Sequence, residues 1–153
     1  MARTRGRTGL IGLIGLIVII VGIIFAVAGV VTWFVVGNEL AAENVTVSED
    51  ANYFAGQDVT GPLTAYSEAQ IIQQHALDAT GGKTYAELER DDPARQTAMQ
   101  ASFLRASLFT SVVAFGVAAL ATVLGIMLVL IGMALRSLSV VDAAPPAAAA
   151  AEA

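Results

Sequence analysis

The residue types best suited to chemistry lie in the middle of the chain. His75 is the only histidine, and on a helix beside Asp78 it could bind a metal ion or titrate as a pH sensor. A lone exposed histidine is more often a surface residue without a role, and we favour that interpretation.

A group of acids follows this histidine. Glu87, Glu89, Asp91 and Asp92 fall within six residues, and carboxylate oxygens at this density could hold Ca²⁺. The alternative is a solvated joint between two helices, in which Asp92 caps the second helix and nearby arginines pair with the other acids. We favour the joint and keep the four acids as weak metal candidates.

The sequence offers few residues for other kinds of catalytic chemistry. The chain has no cysteine, which excludes disulfides, thiol catalysis and cysteine-based metal sites. One histidine is too few for a self-contained zinc or haem site. The sequence also lacks a Gly-x-Ser-x-Gly motif and a phosphate-binding loop. We therefore predict that the protein is not an enzyme, has no cofactor and does not bind nucleic acid.

The elements that position these residues are two apolar blocks. Hydrophobic residues make up 56% of the 153 positions, and charged residues only 14%. Residues 10–37 and 106–135 carry no charge, and each block exceeds the roughly 20 residues that cross a bilayer core. The sequence therefore predicts an all-α membrane protein whose transmembrane helices are residues 10–37 and 106–135.

The first block could instead be a cleaved export signal, because three arginines precede it and Ala26-Val27-Ala28 offers a cleavage site. A secretory apolar region is only about 7–15 residues long. The run here continues to Trp33 and Phe34, aromatic residues of the kind found at membrane interfaces. We interpret the segment as a retained anchor.

The charges flanking the spans predict the orientation. Residues 1–9 contain three arginines, and residues 38–105 contain eleven acids and four bases. Basic residues favour the cytoplasmic side. We therefore expect a multi-pass protein of the cell (plasma) membrane, with both termini cytoplasmic and residues 38–105 extracytoplasmic.

The region between the spans has its own pattern. Residues 38–92 are expected to begin as extended loop, with short helices near 67–80 and 84–90, because Ser67-Glu68-Ala69-Gln70 and Thr84-Tyr85-Ala86-Glu87 are capping boxes. A long helix over 93–138 is predicted to begin after Asp92, and residues 139–153 form a disordered Ala/Pro-rich cytoplasmic tail.

Glycines recur at regular spacing in both apolar blocks. Gly15, Gly22 and Gly29 are seven residues apart, as are Ala118, Gly125 and Gly132. A single antiparallel register pairs Gly15 with Gly132, Gly22 with Gly125 and Gly29 with Ala118. Small residues let transmembrane helices approach closely, so we predict a helical hairpin packed through a glycine zipper. Alternatively, Gly22-x-x-x-Ala26 and Ala114-x-x-x-Ala118 could contact other chains.

The stretch HALDATGGKTYAELERDDPARQTAMQASFLRASLFTSVVAFGVA, residues 75–118, resembles a family of small actinobacterial membrane proteins with two spans. Its members often carry the automatic name aromatic ring-opening dioxygenase LigA. That name implies a non-haem iron site, which requires two histidines and a carboxylate. Since this chain has one histidine, the resemblance implies a membrane protein without an assigned chemistry.

Three hypotheses for function follow. The first is a non-enzymatic accessory or scaffold subunit of a bacterial cell-envelope complex, with the lipid bilayer and a protein partner or second copy as its contacts. The second is an extracytoplasmic ligand or cation sensor that uses the acidic residues 87–92. The third is the dioxygenase of the family name, which we regard as the weakest because the iron ligands are missing.

Overall fold

The computed structural model describes the backbone of residues 2–141 and the side chains of residues 9–139. It contains three helices in this part of the chain: α1 (Ala2–Ala42), α2 (Pro62–Ala79) and α3 (Ala94–Val141). The all-helical class predicted from the sequence is confirmed at this level. Residues 142–153 of the predicted tail lie outside the described residues.

Two of the helices, α1 and α3, are long and apolar enough to cross a membrane, judged by length and composition. Most of their large apolar side chains are exposed, among them Ile24, Phe34 and Leu130. A water-soluble protein rarely leaves contiguous apolar surface of this extent uncovered. The two helices are therefore compatible with membrane spans.

Helix α1 continues beyond the predicted end of the span at residue 37. Residues 38–42 contain no proline or glycine, and the helix ends only at Ala42. Asn44 then adopts a left-handed conformation with φ of 51°, and its backbone N–H donates to the carbonyl oxygen of Ala41 at 3.2 Å. Asparagine tolerates this conformation better than most residues, which makes it a common helix terminator.

Two short extended segments follow α1. They pair antiparallel through an isolated bridge between Thr46 and Asp58. The N–H of Val47 donates to the carbonyl of Gln57 at 2.8 Å. The side chains of Val47 and Val59 are almost fully buried. The β-branched stretch at residues 45–47 thus forms the extended piece that its composition predicts.

The predicted start of the next helix near residue 67 is wrong, because α2 begins at Pro62. Proline fits the first helical position, where its missing N–H is not needed. The Thr64 hydroxyl oxygen accepts a hydrogen bond from the N–H of Gly61 at 3.2 Å. The Ser67 side chain, expected to cap the helix, instead donates to the Tyr53 carbonyl in the preceding loop, and Gln70 bonds the Tyr66 hydroxyl.

The predicted helix over 84–90 is also wrong, since these residues form turns. The local capping contact does form, because the Thr84 N–H donates to Glu87 Oε2 at 2.7 Å. The helix does not propagate, however. The Arg95 guanidinium donates a hydrogen bond to the carbonyl oxygen of Leu88 at 2.6 Å. A single capping box stabilises one turn and cannot nucleate a helix alone.

The start of α3 agrees with the sequence pattern. Asp92 Oδ1 accepts a hydrogen bond from the N–H of Ala94 at 2.8 Å, as expected of an acid placed before Pro93. The helix reaches Val141, three residues past the predicted boundary. Nothing between Arg136 and Val141 breaks a helix.

The described chain divides into two compact units. One combines α1 up to Gly29 with α3 from Leu120, and the other comprises residues 30–119. The core of the second unit contains Leu40, Val47, Val59, Ala65, Ala69, Leu108 and Phe115. Within it, the Trp33 ring packs edge-on against Phe115 with 4.8 Å between the ring centroids.

Candidate functional site

A concavity of the second unit lies between residues 51–54, which belong to the loop of residues 48–57, and one face of α2. Its volume is about 650 Å³, which is within the roughly 300–1,000 Å³ typical of small-molecule sites. We call it the α2 groove. Its two walls, the loop and the helix, belong to the same compact unit.

Three side chains of α2 hold the loop in place. The Ser67 hydroxyl donates to the carbonyl oxygen of Tyr53 at 2.7 Å. Glu68 and His75 reach two further points on the preceding segment, at Ser48 and Asp50. The loop is thus fixed along its length by side chains spaced over two turns of one helix.

Glu68 is a buried carboxylate, with only 6% of its surface exposed. Its Oε2 accepts a hydrogen bond from the backbone N–H of Ser48 at 2.9 Å, and the Ser48 hydroxyl lies within 3.5 Å of both carboxylate oxygens. A buried charge costs free energy unless it is hydrogen-bonded. This bond therefore couples the start of the loop to the middle of α2.

His75 forms an ion pair that the sequence did not indicate. Its Nε2 lies 2.7 Å from Oδ2 of Asp50, which precedes it by 25 residues. The hydrogen bond raises the pKa of His75, and the charges of Glu68 and Asp78 add to the effect. The same bond lowers the pKa of Asp50. Asp78, the neighbour expected from the sequence, thus acts on His75 only through its charge.

The loop itself contains an unusual backbone conformation. Phe54 has a φ of 61°, a left-handed value that is uncommon for a bulky residue. The N–H of Gly56 donates to the carbonyl of Val47 at 2.8 Å, and the N–H of Gln57 donates to the carbonyl of Phe54 at 3.0 Å. These bonds hold a strained turn that places Phe54 on the groove wall.

The groove surface combines aromatic rings with amide groups. Tyr53 is 74% exposed and Tyr66 is 47% exposed. The Tyr66 ring rests edge-on against Phe109, with ring centroids 5.9 Å apart, and its hydroxyl accepts a hydrogen bond from Nε2 of Gln70 at 2.8 Å. The Tyr66 ring is therefore held in one orientation.

Two of the acidic residues at 87–92 make local capping contacts. Glu87 bonds the Thr84 N–H and hydroxyl, both at 2.7 Å, and these bonds lower the pKa of Glu87. Asp92 caps α3. No group of three or more residues able to hold a metal ion occurs among the residues that the structure describes. Glu89 and Asp91 remain exposed on the turn between these caps.

The glycines of the first unit lie in close backbone contact. A Cβ atom added at Gly15 would lie 2.8 Å from the carbonyl oxygen of Gly132, and one added at Gly22 would lie 2.6 Å from that of Gly125. Added in turn to Gly125, it would collide with the backbone nitrogen of Ala26. These positions have no space for a side chain.

The third predicted pair involves one residue from each compact unit. Gly29 is buried in the first unit and Ala118 in the second. Their mutual contact stays a prediction.

Comparisons of the chain with protein-family models, with curated proteins and with solved structures return no match.

The sequence pattern did not predict the groove or its loop contacts. One signal was available, because Glu68 shares a helical face with Ala65, Ala69 and Ile72. An acid on an otherwise apolar stripe indicates a buried carboxylate with a fixed partner. The Asp50 partner of His75 gave no comparable signal, since it lies on an irregular loop.

Proposed function

We propose that the protein is a non-enzymatic integral membrane protein that serves as an accessory or scaffold subunit of a bacterial cell-envelope complex. Its spans form an antiparallel hairpin, with both termini in the cytoplasm and residues 38–105 outside the cell. The observation that carries this proposal is the backbone contact between Gly22 and Gly125 on two helices whose other faces are apolar and exposed.

The glycine contacts support the hairpin because of their order. Going from Gly15 to Gly22 along α1, the partner on α3 moves back from Gly132 to Gly125, as antiparallel helices require. In lipid, where hydrophobic burial gives no driving force between helices, close packing of small residues is a main source of stability. A seven-residue period favours a left-handed crossing of about 20°.

The scaffold role is supported by the two kinds of surface the chain presents. The exposed apolar faces of α1 and α3 can contact lipid, another protein's spans or a second copy. The intervening segment carries the acidic charge and the α2 groove. The resemblance of residues 75–118 to actinobacterial two-span proteins fits the same role.

Single cysteines test the orientation cleanly, because the chain has none of its own. Glu89→Cys and Ser137→Cys replace exposed residues on opposite sides of the second span. A membrane-impermeant maleimide added to intact cells should label position 89, and should label position 137 only after permeabilisation. The reverse pattern would refute the proposed orientation.

Purification in a mild detergent after chemical crosslinking tests the scaffold role. We expect a stoichiometric protein partner or a homo-oligomer. A clean monomer, recovered from cells that express the protein at its natural level, would contradict the role and leave the hairpin intact.

A second candidate, an extracytoplasmic ligand sensor, is favoured by the α2 groove. The cation version of this hypothesis uses Glu87, Glu89, Asp91 and Asp92, and calorimetry of the full chain with Ca²⁺ tests it. Absence of binding heat would refute the hypothesis that these acids bind Ca²⁺. Iron analysis of the purified protein tests the dioxygenase name in the same way, with bound iron as the only supporting result.

A further inference from the structure

We propose that the α2 groove is a binding site for a neutral carbohydrate. A ligand site of this kind goes beyond the scaffold role, and no part of it uses the glycine contacts of the spans. It requires aromatic faces, hydrogen-bonding groups that both donate and accept, and a preformed shape. The groove provides all three.

The aromatic surface comes from both walls. Tyr53 and Phe54 lie on the loop, and Tyr66 lies on α2. The C–H faces of a sugar ring pack against the negative face of an aromatic ring, where weak C–H contacts add to dispersion. Three quarters of the surface of Tyr53 is exposed, and the Ser67 hydroxyl holds its backbone by donating to its carbonyl oxygen.

Amide side chains supply the polar contacts. Asn52, Gln73 and Gln74 line the groove, and within the described part of the chain their side chains make no hydrogen bonds. Each amide offers both donors and an acceptor, which matches sugar hydroxyls that also donate and accept. Gln70 keeps its carbonyl oxygen available while its nitrogen holds the Tyr66 hydroxyl.

The charges of the lining residues favour a neutral ligand over an anionic one. Among the residues that the structure describes, Asp78 is the only charged residue that lines the groove, and none of the lining residues is cationic. An anionic ligand would meet this carboxylate without a counter-charge. A single carboxylate among several amides suits a hydroxyl-rich neutral molecule, since a carboxylate accepts hydrogen bonds from two neighbouring hydroxyls.

The groove is preformed by contacts between α2 and the loop before it. Three α2 side chains fix the loop, and Phe54 is held at a strained φ. Backbone strain of this kind tends to cluster at functional sites. A fixed loop reduces the ordering cost of binding, which allows an open groove to bind a small ligand.

The three tyrosines provide a direct test. Tyr53 and Tyr66 line the groove, whereas Tyr85 lies elsewhere, under the Arg95 guanidinium at 4.1 Å. Full-length protein with ¹³C-labelled tyrosine would be placed in lipid nanodiscs, because alkyl glycoside detergents would compete for the site. Cellotriose, maltotriose and triacetylchitotriose are the probes. We expect at least one to shift the Tyr53 and Tyr66 signals saturably, with Tyr85 unchanged.

Two matched substitutions locate the effect. Gln74→Ala removes an exposed groove amide, and Gln57→Ala removes an exposed amide outside the groove. Gln74→Ala should weaken binding at least about tenfold, equivalent to roughly 1.4 kcal/mol, while Gln57→Ala should leave it unchanged.

Several outcomes would overturn the proposal. They are no saturable shift with any of the three sugars, equal shifts at all three tyrosines, and equal weakening by the two glutamine variants. Shifts with tetramethylammonium chloride but with none of the sugars would also overturn it, and would assign the groove to cations instead. None of these outcomes bears on the orientation or on the scaffold role, which the cysteine and crosslinking experiments test separately.

Discussion

Gly22 and Gly125 meet backbone to backbone, so that a Cβ atom on Gly22 would lie 2.6 Å from the Gly125 carbonyl oxygen. The same added atom would lie 2.8 Å from the backbone nitrogen of Val129. Backbone atoms cannot rotate away as a flexible side chain can. Any side chain at residue 22 must therefore move one helix relative to the other.

Replacing Gly22 with leucine should destabilise the packing of α1 on α3. Overpacking of a close contact costs about 1–3 kcal/mol in well-packed cores, and a helix contact made of backbone has less room to adjust. The measurement is titration of the full chain with SDS, followed by the fluorescence of Trp33, the only tryptophan. The midpoint should shift to lower SDS.

Ile20→Leu is the matched control, because Ile20 is half-exposed and its replacement conserves volume. It should leave the midpoint unchanged. Equal behaviour of the two variants would mean that the glycine contact contributes nothing to packing.

Glu68→Ala should loosen the segment that leads into the α2 groove. It leaves the part-buried N–H of Ser48 without its acceptor, and loss of a partner costs up to about 1–3 kcal/mol when the donor is buried. Hydrogen exchange of residues 45–59 in nanodiscs should become faster. Glu89→Ala, at an exposed position, should not change the exchange rate. Unchanged protection in Glu68→Ala would show that the carboxylate does not hold this segment.

The ion pair of His75 and Asp50 should make the loop pH-dependent. The pKa of His75 is raised, so its contribution is complete below the ordinary value of 6.5 and is lost as pH rises through the raised pKa. The pKa of Asp50 is lowered, so its contribution is present above 3.8 and is lost as pH falls through the lowered pKa. The pair therefore holds the loop at pH values between the lowered pKa of Asp50 and the raised pKa of His75.

NMR titration of the single histidine measures this effect. Asp50→Asn should move the pKa of His75 down toward its ordinary value. Asp78→Asn should move it less, because Asp78 acts only through its charge. If Asp78→Asn has the larger effect, the hydrogen bond to Asp50 is not the main cause of the shift.

The helices were largely predictable from the sequence, because apolar runs of this length and the cap at Asp92 depend on local properties. The two wrong helix predictions both relied on a capping box. Helix α2 begins at Pro62 because proline fits the first helical position and the Thr64 hydroxyl caps the Gly61 N–H, so Ser67 is left to donate to the Tyr53 carbonyl. At Thr84 the capping contact forms, but the Arg95 guanidinium donates to the Leu88 carbonyl and no helix follows.

The groove was not predictable for a related reason. Its walls come from an irregular loop and a helix, joined by contacts between residues 14 to 25 positions apart. No periodic pattern encodes such contacts. The strained φ of Phe54 likewise depends on the pairing of Val47 with Gln57 and Gly56, which a sequence does not display.

The antiparallel hairpin, the central claim, is tested most directly by a disulfide at its end. A Cβ atom on Gly12 would lie 3.6 Å from Cβ of Ser139, within the roughly 3.5–4.5 Å that disulfides span. Oxidation of Gly12→Cys/Ser139→Cys in native membranes should give a crosslinked monomer with altered mobility on gels. Gly9→Cys/Ser139→Cys should not crosslink, because a Cβ at Gly9 has no neighbour within 4 Å among the described residues, Ser139 included. Failure of the first pair to crosslink, or disulfide-linked dimers alone, would contradict the hairpin.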